Sequence, residues 1–270
     1  MSFPETKATV RLIAQQATRI RKAFKLAIDG DAIALSWAET HPAGGSVSPQ
    51  TARDWVLAHA VTNKKPMQVA LARLYADGYT LGTKVAKTRL KGLKKDVSVA
   101  TIDWSTWTPG NESAAALVRP RGGLQSLLDS RKITISDDVI HTKLDRIGTA
   151  LAKGLEKGFT PKETAKMIDT IIDDPQQALI IAQTESSRAI SMASRNAYEE
   201  AQVEQVEWLV AEGCEECQEN ADASPIGIGD TFPSGDSEPP AHPNCMCALA
   251  PYFDLNASDD SEELQDLEIY

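Results

Sequence analysis

Within residues 208–251 the chain reads Cys214-Glu215-Glu216-Cys217, then a polar loop rich in Gly, Pro and Asp, then His242-Pro243-Asn244-Cys245-Met246-Cys247. All four cysteines of the protein and one of its four histidines fall here. A long polar loop cannot hold its shape by burying apolar surface. Something must tie its ends together, and a cross-link stabilises most where the loop it closes is long. Five soft or borderline ligands stand at those ends. A C-x-x-C turn presents two thiolates to one ion, and zinc takes four tetrahedral N or S ligands. His242 and Cys245, spaced H-x-x-C, supply two more. Cys247 is the rival fourth ligand, because side chains two apart on a strand share a face. The expected centre is a structural zinc on Cys214, Cys217, His242 and Cys245. Packed free thiols and disulfides are the competing readings.

Around this stretch, residues 203–210 alternate like a strand, and residues 248–253 suit an antiparallel partner. The metal-type residues then sit at the ends of a small sheet. Beyond residue 253 the chain is strongly acidic, with Leu and Ile too sparse for a core, so a tail without its own fold is expected over 254–270.

Upstream, Asp174-Pro175-Gln176-Gln177 and Thr160-Pro161-Lys162-Glu163 each read as a capping box with proline in the first turn. The first opens a helix running to about Ala201. Ser136 is expected to cap a further helix with Ile140, Leu144, Ile147, Leu151 and Leu155 in register. On the helix from Pro175, Glu185 falls within the apolar stripe of Ala178, Ile181, Ala182, Ala189, Met192 and Ala193. A charge on a packed face needs a partner. Arg188, one turn on, is the expected one, with a contact to another element as the alternative. No histidine or second carboxylate stands at helical spacing to make Glu185 catalytic.

The first 95 residues read as basic helices. An amphipathic helix is expected over 4–28, with Val10, Ile13, Ala17, Ile20, Phe24 and Ala27 on one face. Arg11, Arg19, Arg21, Lys22 and Lys25 make it basic. They are either a solvated face or a contact for a polyanion or an acidic protein surface. Ser48 and Pro49 open a helix carrying Trp55, Val56 and His59, the histidine reading as packed rather than ligating. Another starts at Pro66 with Met67, Leu71, Leu74, Tyr75, Leu81 and Val85 on one side. From about 92 to 135 periodicity fades, with a short helix expected over 123–130. Trp104 and Trp107, three apart, read as core packing rather than base stacking.

Net charge is −10, but it is split. Residues 1–95 hold 16 Lys/Arg against 6 Asp/Glu, and the remainder 12 against 32. From residue 203 onward there is no Lys or Arg. The acidic surroundings of the Cys pairs argue against a nucleic-acid knuckle, which needs cations near phosphates. There is no apolar run of bilayer length and no secretory leader, so a cytosolic setting is expected, where clustered cysteines favour metal over disulfide. No Walker loop, dinucleotide fingerprint or nucleophile elbow is present.

Together, Ile181-Ala182-Gln183-Thr184-Glu185-Ser186-Ser187-Arg188-Ala189, Tyr198, Trp208, Cys214-x-x-Cys217, Pro239-Pro240 and His242-Pro243-Asn244-Cys245-Met246-Cys247 resemble the C-terminal domain of phage Mu F-like head morphogenesis proteins, over about 135–251. Asp103-Trp104…Trp107-x-Pro109-Gly110 also resembles members from phages of actinobacteria. The family usually has Arg between the last two cysteines, where this chain has Met246. The resemblance implies a non-enzymatic minor capsid protein of a tailed phage, associated with the portal and acting in head assembly and DNA delivery. The partners it implies are the portal protein, the major capsid protein and packaged DNA at the basic half, with no membrane and no small-molecule substrate. The virion is its expected location, and the host cytoplasm during assembly. A metal-dependent nuclease or toxin-like effector, and a DNA-binding regulator, are the alternatives.

The expected architecture is mainly α. A helical N-terminal region (1–95) leads through an extended arm (96–135) to a small α+β module (136–253), whose antiparallel strands surround a Cys/His zinc-type knuckle. An acidic tail (254–270) follows.

Overall fold

The computed structural model describes residues 7–91, 123–211 and 214–253. The arm with Trp104 and Trp107 and the acidic tail lie outside the described residues. Helices dominate, in the order α1 (Lys7–Ala27), α2 (Gly30–Thr40), α3 (Pro49–His59), α4 (Lys65–Lys91) and α5 (Gly123–Ser126). A π-helical turn (Leu127–Arg131) leads into α6 (Lys132–Glu156), α7 (Pro161–Ile172) and α8 (Pro175–Glu200). The small module adds β1 (Gln205–Leu209), α9 (Glu215–Asp222), β2 (Ile226–Gly227) and β3 (Ala248–Tyr252).

The local start signals act as their chemistry dictates. Ser48 accepts the Thr51 N–H, and Thr160 and Glu163 form the reciprocal capping box. Asp174 accepts the Gln177 N–H, but Gln177 Oε1 is buried without a partner, so this second box is only half made. Asp29 caps α2, its side chain accepting the Ala32 N–H. Ser136 is not a cap. Helix runs unbroken from residue 123, and the Ser136 hydroxyl, fully buried, donates back to the Lys132 carbonyl one turn earlier. A serine inside a helix satisfies itself in this way without ending it.

On α1 the expected stripe holds for its second half, with Ile20, Phe24 and Ala27 buried. Val10 is 51% exposed, whereas Gln16 is fully buried and donates to Asp77 on α4 at 2.9 Å. Along α4, Leu81 and Val85 are only half-buried. The face that meets α8 is instead Gly78, Gly82 and Ala86, set against Ala189, Ala193 and Ala197. A Cβ on Gly82 would stand 2.3 Å from the Ile190 carbonyl oxygen, and one on Gly78 2.9 Å from the Ala189 Cβ. Residues spaced by four on both helices remove bulk from one line, and the backbones close upon each other.

One hydrophobic cluster gathers residues of α1 to α8, from Ile20 to Ala189, across the expected boundary at 135–136. Lys143 lies within it. Its Nζ sits 3.9 Å from the Phe24 ring centre and donates to Ile171 O at 2.9 Å. Burial draws its pKa down to about 8. A second cluster joins the ends of α4 and α8 (Ala86, Leu90, Ala197, Tyr198) to Val206, Trp208, Cys217, Phe232, Cys245, Cys247 and Leu249. Helix α8 therefore belongs to both. The sheet order is β2-β1-β3, all antiparallel, with Gln205 opposite Tyr252 and Leu209 opposite Ala248. Arg89 of α4 donates to Leu249 O on β3 at 2.6 Å, pinning the sheet to the helices.

Candidate metal centre

Cys214 is the N-cap of α9, and its sulfur accepts the Cys217 N–H. That contact lowers the Cys214 thiol pKa, as expected for a thiol at a helix N-terminus. Helix α9 turns Cys217 inward, where it is 1% exposed. On the other side, His242 leads a short turn into β3, and Cys245 and Cys247 are both buried. Asn220 of α9, fully buried, donates to Ser234 Oγ and accepts the Ser234 N–H, each at 3.0 Å, which ties the intervening loop to the helix.

Two triads result: Cys214, Cys217 and His242, and Cys217, Cys245 and Cys247. Within each, the ligand atoms all lie within 4.8 Å of one another, and Cys217 is shared. His242 Nε2 is 3.1 Å from the Cys214 sulfur and 3.2 Å from that of Cys217. The Cys217 and Cys245 sulfurs are 3.7 Å apart. A tetrahedral ion with bonds of about 2.3 Å to sulfur sets two sulfurs about 3.8 Å apart, so the Cys217–Cys245 spacing fits zinc. The Nε2 contacts are somewhat tighter than a loaded site requires. His242 Nδ1 is 2.9 Å from Pro243 O. A proton on Nδ1 donated to that carbonyl turns the Nε2 lone pair to the sulfurs, the usual support of a metal-bound histidine.

The thiols do not titrate alike. Cys217 is pushed up to about 12 by burial. Cys247 is drawn down to about 5, first by a hydrogen bond from the Cys245 thiol, with help from the Ala211 N–H and the Trp208 indole. Trp208 Nε1 is buried without a conventional partner, and the Cys247 sulfur is what it faces. N–H groups aimed at buried sulfur suit thiolates that share a cation. The five expected ligands thus fall into two triads that meet at Cys217, and Cys245 shares its triad with Cys247 rather than with Cys214 and His242.

The rest of the site is α8. The expected Glu185–Arg188 pair does not form. Glu185, 3% exposed, takes both arms of Arg131 at 2.6 Å each and the Tyr75 hydroxyl at 2.8 Å. The π-helical turn is what brings Arg131 there, and a planar guanidinium matches a carboxylate fork better than a cation one helical turn away on the same helix. Arg188 instead reaches Pro240 O, at the entry to the His/Cys turn. Arg195 donates to Ile228 O at 2.6 Å and pairs with Glu238 at 3.2 Å. Gln183 and Thr184 reach Asn244, within the turn itself. No local pattern marks Arg131, which stands where the helical periodicity fades.

Of the five basic residues singled out on α1, three are engaged within the chain. Arg19 pairs with Asp77 at 2.7 Å, and Arg21 and Lys25 both pair with Asp173. Arg11 and Lys22 are exposed and have no ion pair among the described residues. His59 stacks on Trp55, and its Nδ1 lies 2.8 Å from Trp55 O, far from any ligand set. No described helix is long and apolar enough to cross a membrane.

Fold and site together define a class: a helical body carrying a small antiparallel cap gathered around a Cys/His cluster. Residues 145–250 match the family model described as Phage Mu protein F like protein, a span that runs from α6 to β3 and takes in the whole cluster. Over these residues the chain is similar to the phage Mu F-like family, and the likeness points to a role in phage head morphogenesis. No curated protein and no solved structure matches the chain.

Proposed function

We propose that the protein is a minor capsid component of a tailed phage, seated at the portal vertex of the head, with a structural and non-enzymatic role in assembly and in DNA packaging or ejection. The observation that carries this is the coincidence of the family span with the Cys/His-gathered cap and the helix that holds it. One structural zinc is held by Cys214, Cys217, His242 and Cys245, with Cys247 as the other candidate for the fourth place. A centre closed by four protein ligands leaves no open position for substrate, so the ion supplies folding free energy rather than chemistry.

The organisation then divides by charge. The basic region 1–95 faces the portal, the major capsid protein or packaged DNA, and the acidic cap and tail stay clear of DNA; residues 123–135, expected as part of an extended arm, are helical and packed into the body. Of the five basic residues singled out on α1, Arg11 and Lys22 are left for such contact, since Arg19, Arg21 and Lys25 are engaged internally. The test is co-purification of the intact chain with the portal protein of the same phage, with Arg11→Glu and Lys22→Glu as probes. Capture that weakens with charge reversal is the expected result. Absence of the chain from both portal complexes and assembled heads would refute the assignment.

A further inference from the structure

Asn244 is the pivot of the H-x-x-C turn. Its φ is +65°, in the left-handed region that Asn tolerates better than most residues. Both of its backbone polar groups are taken by consecutive residues of α8. Its N–H donates to Thr184 Oγ1 at 2.9 Å, and its carbonyl accepts from Gln183 Nε2 at 3.5 Å. The Thr184 hydroxyl sends its own proton to Ile180 O at 2.8 Å, which leaves a lone pair aimed at Asn244. Gln183 also reaches the Met246 sulfur, between the last two cysteines. Neither Gln183 nor Thr184 is a ligand, yet they grip the segment that carries His242, Cys245 and Cys247. The next residue, Glu185, is fixed from the helical body by Arg131 and Tyr75.

We propose that Thr184, assisted by Gln183, is a positioning residue for the metal centre. It holds the backbone between His242 and Cys245 in the geometry the ion needs, and so sets metal affinity without touching the metal. The inference rests on the zinc reading above. Groups outside the ligand set that orient ligands are commonly worth about 10-fold or more in affinity. Thr184→Val removes the acceptor and keeps the shape, whereas Thr184→Ser keeps the acceptor.

Zinc affinity of the full chain is measured by competition with a chromophoric chelator, alongside thermal unfolding of the zinc-free form. The expected result is one ion on the wild type, about 10-fold weaker binding for Thr184→Val and for Gln183→Leu, and recovery to within about 3-fold of wild type for Thr184→Ser. Zinc-free stability should be the same for wild type and Thr184→Val, which separates positioning from mere packing. Wild-type affinity in both Thr184→Val and Gln183→Leu overturns the inference and leaves the zinc reading standing. So does a loss matched by equal destabilisation of the zinc-free chain. A wild type that takes up no zinc overturns both.

Discussion

Replacing Gly82 by Ala probes the α4–α8 crossing on which the cap is mounted. The added methyl would lie 2.3 Å from Ile190 O, and 2.8 Å from both the Ile190 Cα and the Ala193 Cβ. Ordinary contact begins at 3.4 Å, so the overlap is about 1 Å and most of it falls on backbone. Backbone cannot rotate away, so the helices must separate. Overpacking of this kind costs about 1–3 kcal/mol, and the backbone contact puts Gly82 at the upper end. Against this, Ala is favoured over Gly inside a helix by about 1 kcal/mol. The net expectation is a loss of about 2 kcal/mol, or about 4–8 °C in Tm for a chain of this size. Gly78→Ala meets only the Ala189 methyl at 2.9 Å and a carbonyl at 3.4 Å, so it should cost less. Gly229→Ala, with nothing within 4 Å, is the control. Urea and thermal unfolding followed by circular dichroism provide the readout. If Gly82→Ala proves as stable as Gly229→Ala, the close approach of the two backbones is not a feature of the molecule.

The buried pair should behave as a unit: Arg131→Met leaves the Glu185 carboxylate with Tyr75 alone and should cost about 3 kcal/mol, while Arg131→Met with Glu185→Met should recover part of that in a double-mutant cycle. Lys143 has its folded pKa at about 8 against about 10.4 unfolded. The unfolded chain holds more protons in between, so stability should rise from pH 8 to 10, a slope that Lys143→Met should flatten in denaturation titrations. The hydrogen bond from Arg21, with Lys25 beside it, lowers the Asp173 carboxyl to about 2. Its contribution should be complete above about pH 4 and lost as pH falls through 2; an Asp173→Asn variant with the same acid slope as wild type would contradict this. Chelation should abolish hydrogen-exchange protection across residues 214–247 while the amides of α4 and the first half of α8 stay protected, and uniform protection with and without chelator would count against a metal-held cap.

Much of this was legible in the residues. Pro at N1 behind Ser48, Thr160 or Asp174 is a local signal, and those helices start where it places them. The alternation around Trp208 gave β1, and the Cys/His spacing gave the cluster. What escaped depended on distant packing. The close approach at Gly78 and Gly82 depends on α8 lying across them, which no local signal on α4 encodes. Ser136 carried a cap signal that the preceding helical turns override. Glu185 announced that it needed a partner, but Arg131 is far along the chain and arrives through a π-helical turn that no periodicity marks. The contacts of Thr184 and Gln183 exist only because the chain returns at Asn244, some sixty residues on.

The central claim is that one ion joins the two ends of the cysteine-bearing loop and so holds the cap on α8. X-ray absorption at the zinc edge on the purified full chain, with metal content measured on the same sample, tests it most directly. The account predicts one zinc per chain, with three sulfurs at about 2.3 Å and one nitrogen at about 2.0 Å. A chain that binds no metal at micromolar zinc, yet keeps Cys214 and Cys217 as protected from alkylation as Cys245, would contradict it.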